Sequence, residues 1–174
     1  VLGIPGNSRK FEIDIPIGNN RISFNVYENN KPIAVRYVFT QKLDNINWIE
    51  YAPRQFGSVQ DVVTNEAVSS YYSYTKQDPL KVEVIGPTLI RVYTRIGFDY
   101  QMRGTVNYRL QVKEDGNLIN TYQLTNKASE VSLFRLQKDL TPGKANKFII
   151  FVPEGKHSYQ IVPMETDKYG IYSR

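Results

Sequence analysis

Residues 148–162 read FIIFVPEGKHSYQIV, and this stretch carries the clearest architectural signal of the chain. A run of apolar residues ends at Pro153, a Pro-Glu-Gly-Lys turn signal follows, and apolar residues then alternate with polar ones. Proline has no N–H to donate to a ladder, and glycine allows the positive φ that turns require. The pattern therefore predicts two strands, 148–152 and 157–162, joined by a tight corner.

An ungapped internal repeat supports this corner. KFEIDIPIGNNRISFNVYENNK (10–31) aligns with KFIIFVPEGKHSYQIVPMETDK (147–168), so the hairpin is predicted to occur twice. His157 falls opposite Asn20, which indicates a turn residue. Two arrangements remain open. Either residues 1–30 are the tail of a preceding similar domain, or both hairpins belong to one sandwich of about ten or more strands.

Period-two alternation continues through the second half of the chain and favours strands over helices. TVNYRLQVK (105–113) and LINTYQL (118–124) flank a Glu-Asp-Gly-Asn signal that is typical of a hairpin turn. Further strands are predicted at KVEVI (81–85) and TLIRVYTRI (88–96), split by a Gly-Pro turn, and at EVSLFRL (130–136). About seven strands in this region indicate an all-β fold, an immunoglobulin-like antiparallel β-sandwich.

The first part of the chain shows a weaker version of the same pattern. Strands are predicted at FEIDI (11–15), RISFNVY (21–27), IAVRYVF (33–39) and YYSYT (71–75), and a short helix at SVQDVVTNEAV (58–68). We therefore predict two segments with a boundary near Pro79. Residues 1–78 form a β-rich N-terminal segment, a partial sandwich or hairpin, and residues 79–174 form the sandwich domain with about seven strands.

Residue types exclude several kinds of site. The chain has no cysteine, which excludes disulfides, thiolate zinc sites and cysteine nucleophiles. Its single histidine leaves no partner for a catalytic triad or a transition-metal centre, and no phosphate-binding glycine loop is present. We therefore predict no catalytic residue, no metal and no cofactor. One enzymatic alternative stays open: a sandwich-fold carbohydrate-active enzyme whose two carboxylates are far apart in sequence.

Positive charge and aromatic side chains coincide on two of the predicted strands. The net charge is +5, and the whole excess lies after residue 78. Arg91, Tyr93 and Arg95 share one face by period two, and a hairpin to the next strand through GFDYQMRG (97–104) would set Tyr93 beside Arg109. The loop itself is predicted to expose Phe98. The candidate ligand-binding residues are Arg91, Tyr93, Arg95, Tyr100, Arg103 and Arg109.

PEGKHSYQI (153–161) resembles the hairpin near the end of glycogen- and starch-binding sandwich modules, in which a Pro-x-Gly-x-His/Tyr-x-Tyr-x-Phe/Ile pattern follows a strand. The resemblance implies the sandwich fold. Those modules bind α-glucan on a platform of tryptophans with a nearby lysine. Trp48, the only tryptophan here, lies far upstream of the motif, so no platform residue is transferred.

These observations predict a non-catalytic, extracytoplasmic sandwich module, located in the bacterial periplasm, at the cell surface or outside the cell. Its partner is predicted to be a polysaccharide, an anionic envelope polymer or another envelope protein. The alternative is a purely structural domain of a larger exported protein. The charge is too dispersed for a dedicated nucleic-acid binder. The longest apolar run, FIIFV (148–152), is far shorter than the ~20 residues of a membrane helix.

Overall fold

The computed structural model describes residues 7, 9–15, 21–25, 33–38, 46–165 and 170–174. The chain divides into two compact units, Val1–Ile46 and Asn47–Arg174. The nine strands of the described part all lie in the second unit. They are β1 (Val59–Thr64), β2 (Ala67–Tyr74), β3 (Leu80–Phe98), β4 (Thr105–Glu114), β5 (Asn117–Lys127), β6 (Ser132–Phe134), β7 (Thr141–Pro142), β8 (Asn146–Pro163) and β9 (Ile171–Ser173).

The first unit does not have the predicted strands where the structure describes it. Residues 11–15, 21–25 and 33–38 carry no strand, and their large apolar side chains are exposed. The strand predictions for these ranges are therefore wrong; residues 26–27 and 39, at the ends of two of them, lie outside the described residues, as does Asn20. No helix long and apolar enough to cross a membrane occurs in the described part of the chain.

The strands form one antiparallel network in the order β5-β4-β8-β3-β9-β2-β1-β6, with β7 paired separately to β3. The two longest strands, β3 and β8, pair from Leu80↔Ile161 to Thr94↔Asn146. Each runs straight through the Gly/Pro signal that was predicted to split it. The predicted corner at 153–156 and the predicted Gly-Pro turn between 85 and 88 are therefore both wrong as chain reversals.

A β-bulge takes the place of these corners. Gly86 pairs with Gly155 and Thr88 pairs with Val152, so β8 has one more residue than β3 across the bulge. Gly155 adopts φ +113°, which favours glycine. A Cβ on Gly86 would lie 1.8 Å from the carbonyl oxygen of Pro153. The two breaker signals thus face each other, and one distortion accommodates both without ending the ladder.

The bulge lets the sheet fold over onto itself. Its extra residue reverses the alternation along β8, so Val152 before the bulge and Tyr159 after it both point into the main core. Tyr122 of β5 stacks on Phe148 of β8 with ring centroids 4.1 Å apart, although β5 and β8 are not paired neighbours. The apolar face therefore closes into two layers around one core, which confirms the predicted all-β antiparallel sandwich.

The layer formed by β3, β9, β2, β1 and β6 also buries its other face. A second core contains Val62, Tyr71, Phe134 and Tyr172. Phe134 belongs to β6, which pairs with the edge of β1, and the Phe134 and Tyr172 ring centroids are 4.9 Å apart. The outer face of this layer is therefore buried around Arg95, whereas Arg91 and Tyr93 on the same face of β3 are half-buried.

Residues 58–68 form a hairpin, so the predicted helix is wrong. Asn65 and Glu66 link β1 to β2 with φ of 46° and 70°, the two positive values of a type I′ turn. Both strands pair into the common sheet, and the second compact unit begins at Asn47. The predicted boundary near Pro79 therefore lies inside this unit. The strand predicted at 71–75 forms the end of β2.

The hairpin predicted around Glu-Asp-Gly-Asn is confirmed. β4 and β5 pair from Thr105↔Lys127 to Glu114↔Asn117, with a register shift between Val112 and Lys113 and with Asp115 and Gly116 at φ 49° and 87°. The strand predicted at 130–136 is shorter than expected, because only Ser132–Phe134 pairs. The described part of residues 79–174 has seven strands, as predicted, but for a different reason. β3 and β8 each replace two predicted strands, and two short strands that were not predicted, β7 and β9, restore the number.

Candidate functional site

The outer face of β3 carries Arg91, Tyr93 and Arg95, as the alternation predicted. The predicted hairpin between 88–96 and 105–113 is wrong, however, because β3 pairs with β8, β9 and β7, and β4 pairs with β5 and β8. Tyr93 pairs with Lys147, and Arg109 pairs with Gln123. The six candidate residues therefore do not form one surface.

Arg95 is buried in the second core, with 9% of its surface exposed. Its Nε donates to the Tyr71 hydroxyl at 3.0 Å, and its NH1 donates to the carbonyl of Gly143 at 2.6 Å and to the Ser132 hydroxyl at 3.4 Å. Burial of a cation requires such partners. The segment that carries β6 and β7 covers this position, so Arg95 stabilises the fold and its guanidinium is withdrawn from ligands.

Arg109 is exposed but already neutralised. Its Nε lies 2.6 Å from Oε1 of Glu165, and its backbone N–H donates to Oε2 of the same side chain at 2.8 Å. Both residues line a shallow polar groove of about 450 Å³ on the β4–β5 hairpin. An anion that binds here competes with an existing ion pair, which makes Arg109 a weak anion site.

Tyr100 and Arg103 are exposed on the loop after β3, Tyr100 with 77% of its surface accessible. Asp99 holds this loop by accepting hydrogen bonds from the backbone N–H of Gln101 at 2.8 Å and of Met102 at 3.0 Å. Phe98 was predicted to be exposed with them, but it is buried in the main core. Phe98 is the last residue of β3 and keeps the inward orientation of its even-numbered neighbours.

Arg91 and Tyr93 belong to an alternating stack of guanidinium groups and aromatic rings, which we name the cation–aromatic ladder. In order along the stack, its members are Trp48, Arg91, Tyr93, Arg174, Tyr71 and Arg95. The Arg91 Cζ lies 4.0 Å from the Trp48 ring centroid and 5.3 Å from that of Tyr93. The Arg174 Cζ lies 5.5 Å from Tyr93 and 6.0 Å from Tyr71.

Strand pairing explains how the ladder is built. Period two on β3 supplies every second residue of one face. The backbone of Arg174 extends β9 by exchanging two hydrogen bonds of 2.9 Å with Tyr93. β2 pairs with β9 and brings Tyr71 to the far side of Arg174, and the segment before β1 brings Trp48 over Arg91. Four separate parts of the chain thus contribute side chains.

Exposure and charge differ along the ladder. Arg95 and Tyr71 are buried, whereas Trp48, Arg91 and Tyr93 are half-buried and form its open end. Arg174 pairs with Glu50, NH1 to Oε1, at 3.3 Å. Within the described ranges, no carboxylate lies within ion-pair distance of Arg91. Among the described residues, the Arg91 guanidinium is therefore held by ring faces, a contact worth about 0.5–2 kcal/mol, and its N–H edges meet no acid there.

Sequence reasoning missed three members of the ladder, Trp48, Tyr71 and Arg174. Trp48 was set aside because it lies far from the 153–161 motif, and Arg174 had no local pattern at all. A tryptophan is costly to leave unpacked, and that rule could have pointed to Trp48 as a contact residue. No sequence signal places Arg174 beside Tyr93, because their proximity depends on β9 pairing with β3.

One group of side chains in the described part of the chain is close enough to hold a cation. It consists of Glu114, Asp115 and His157, whose potential ligand atoms all lie within 4.8 Å of one another. The group lies where the β4–β5 turn meets β8, and it includes none of the ladder residues. The chain was predicted to bind no metal, since it has a single histidine; the two carboxylates beside that histidine come from another strand.

This chain resembles solved structures only distantly. No protein-family model matches it, and no curated protein gives a significant match. Among solved structures, it is similar to three family 35 carbohydrate-binding modules. One comes from an environmental isolate, with a TM-score of 0.38 and 14% identity over 69% of this chain and 82% of that one.

The other two give comparable values. The family 35 module from Cellvibrio japonicus Abf62 has a TM-score of 0.35 and 12% identity, covering 71% of this chain and 87% of that one. The module from Clostridium thermocellum has a TM-score of 0.33 and 11% identity, covering 71% and 96%. No property of these modules is transferred to this chain on a likeness of this size.

Proposed function

We propose that this chain is a non-catalytic binding module for a carboxylate-bearing glycan, with the open end of the cation–aromatic ladder as its binding surface. A single observation carries the proposal. Arg91 is stacked between Trp48 and Tyr93, and no carboxylate in the described part of the chain neutralises it. The site thus offers aromatic rings and an uncommitted planar cation side by side.

This pairing suits an acidic sugar. The guanidinium edge can donate two parallel hydrogen bonds to a carboxylate, and the aromatic rings beside it can pack against the apolar C–H face of a sugar ring. Stacking on both sides removes much of the rotamer freedom of Arg91 before the ligand arrives. Binding then costs less ordering entropy than it would at a free surface arginine.

The role of Arg174 is secondary. Glu50 already lies 3.3 Å from its guanidinium, so a second carboxylate there has to share or displace that partner. Rings and guanidinium groups recognise a ligand but do not cleave it, which supports a non-catalytic role. Because the proposed ligands are polymers of the cell envelope or its surroundings, we also propose a periplasmic, surface or extracellular location.

The test is affinity electrophoresis in gels that contain polygalacturonate or neutral dextran, followed by titration calorimetry with an oligogalacturonide. We expect polygalacturonate to retard the unmodified chain more strongly than dextran. Arg91→Gln should weaken binding roughly 10-fold or more, because a charge-assisted hydrogen bond is worth about 1.5–3 kcal/mol. The double variant Arg91→Ala/Tyr93→Ala should abolish retention.

Arg103→Gln is the matched control, since it removes the same charge from an exposed site outside the ladder. It should bind as the unmodified chain does, apart from a small salt-dependent loss. Equal weakening by Arg91→Gln and Arg103→Gln would contradict the proposal, because only net charge would then matter. If neither polygalacturonate nor dextran retards the unmodified chain, the proposal is also contradicted, and the purely structural alternative is favoured.

A further inference from the structure

The tight turn between β4 and β5 and the strand β8 bring three metal-ligand side chains together. β4 pairs with β8 as far as Glu114↔Tyr159. Beyond that pair, the Asp115 N–H donates to the Ser158 carbonyl at 2.8 Å, and Asp115 Oδ1 accepts from the Ser158 N–H at 2.9 Å. These bonds fix the turn against β8, so His157 faces both carboxylates.

Hydrogen-bond acceptors lie beside both nitrogens of the His157 ring. Its Nε2 lies 3.2 Å from the Glu154 carbonyl oxygen, which can only accept, so this contact is a hydrogen bond in the tautomer with the hydrogen on Nε2. Nδ1 lies 3.1 Å from Glu114 Oε1 and 3.4 Å from Asp115 Oδ2, and both of these are also acceptors. Nδ1 is fully buried and makes no hydrogen bond within the described residues.

A neutral imidazole with its proton on Nε2 would therefore direct a lone pair at two carboxylates. Three acceptors that converge on one point are repulsive unless a cation lies between them. We propose that Glu114, Asp115 and His157 bind a divalent transition-metal cation, with His157 Nδ1 and one oxygen of each carboxylate as ligands. The site is distinct from the ladder and does not depend on the proposed glycan binding.

The distances from His157 Nδ1 to the two carboxylate oxygens suit a small cation. Zn²⁺ is bound by nitrogen and oxygen at about 2.0–2.2 Å, which places adjacent tetrahedral ligands roughly 3.3–3.6 Å apart. The distances from Nδ1 to the two oxygens, 3.1 and 3.4 Å, are close to this range. Imidazole favours zinc and its neighbours over calcium or magnesium, and three protein ligands leave one position for water.

The partners around the ligands are also those of a metal site. Metal-binding histidines usually donate their other ring N–H to a carbonyl or carboxylate, as Nε2 does here to Glu154. The Tyr159 hydroxyl donates to Glu114 Oε1 at 2.6 Å. Tyr159 thereby orients the carboxylate.

The single histidine makes the test direct. Untagged chain, stripped with a chelating resin, is titrated with Zn²⁺ and followed by two-dimensional ¹H–¹⁵N NMR of the imidazole ring and by calorimetry. We expect one saturable site, a Zn²⁺-dependent shift of the His157 Nδ1 signal, and a proton retained on Nε2. The unmodified chain suffices for this measurement, so the result does not depend on whether a variant folds.

Variants then assign the other ligands. Glu114→Gln and Asp115→Asn should each weaken Zn²⁺ binding at least ~10-fold, and Tyr159→Phe, which removes only the orienting hydroxyl, should weaken it about 10-fold. Glu66→Gln is the matched control, since Glu66 occupies the corresponding tight turn between β1 and β2. It should leave binding unchanged.

Three results would overturn the site: no saturable change in the His157 ring signals with Zn²⁺, coordination through Nε2, or equal Zn²⁺ affinity in the Glu114→Gln and Glu66→Gln variants. A ring protonated on both nitrogens and unresponsive to Zn²⁺ would show that a proton is the positive group. That outcome also contradicts the metal site.

Discussion

Two turn signals in this chain, Glu-Asp-Gly-Asn at 114–117 and Pro-Glu-Gly-Lys at 153–156, have opposite outcomes. At the first, β4 reverses into β5 through two residues with positive φ. At the second, β8 continues, and the signal becomes a bulge opposite Gly86 of β3. A local breaker therefore reverses the chain only where the following strand can pair with the preceding one; where both flanks pair with a third strand, the breaker bends the ladder.

The largest expected effect comes from inserting Gly-Ser-Gly-Ser at each position. After Asp115 the insertion only lengthens a loop, and loop entropy costs about 0.6 kcal/mol per doubling of length. After Glu154 it separates the two halves of β8, which pair with β3 on both sides of the bulge. We expect the second insertion to remove cooperative unfolding in urea, followed by circular dichroism, while the first keeps it.

The insertions have a clear contrary outcome. If the chain with four residues added after Glu154 unfolds as cooperatively as the chain with the insertion after Asp115, the bulge is an ordinary loop. In that case β8 consists of two independent strands, as the sequence predicted, and the continuous pairing of β3 with β8 is wrong.

A smaller but sharper contrast comes from three glycines. An added Cβ on Gly86 meets the Pro153 carbonyl oxygen at 1.8 Å, whereas one on Gly116 meets nothing within 4 Å. Gly86→Ala should therefore lower the free energy of unfolding by about 3 kcal/mol or more, since the clash is with backbone. Gly116→Ala and Gly155→Ala carry only the strain of positive φ, about 1–2 kcal/mol each.

Urea denaturation midpoints measure these differences. A loss for Gly86→Ala that is no larger than that for Gly116→Ala would mean that β3 and β8 do not approach closely at the bulge. Gly155 is the internal control, because it lies in the same bulge and has only His157 Nε2, at 3.5 Å, near its added Cβ.

The smallest effect concerns the third tight turn. Glu66 adopts φ 70° in the β1–β2 hairpin, a conformation that costs a side-chain-bearing residue about 1–2 kcal/mol. Glu66→Gly produces the Asn-Gly pair that type I′ turns prefer and should raise the free energy of unfolding by about 0.5–1 kcal/mol. Destabilisation would show that Asn65 and Glu66 do not form this turn.

The candidate site, like the turns, could be predicted from the sequence only in part. Alternation on β3 was sufficient to place Arg91 and Tyr93 on one face, because side-chain direction in a strand follows from residue parity. Alternation could not distinguish half-buried Arg91 from buried Arg95, since burial depends on the segment with β6 and β7 that packs over the Arg95 end of the face. The sequence also predicted that β3 pairs with β4, the next strand along the chain, which is the common arrangement. In the structure β3 and β4 each pair with β8 instead.

The sequence by itself determined what depends on neighbouring residues: the all-β class, the faces of the strands and the Asp-Gly hairpin turn. These follow from alternation and from φ preferences that act within a few residues. Only the tertiary structure decided which strands pair, whether a breaker becomes a turn or a bulge, and which distant groups meet. Trp48 joins Arg91, and Glu114 joins His157, because the free energy that selects strand partners comes from burying apolar side chains in the two cores.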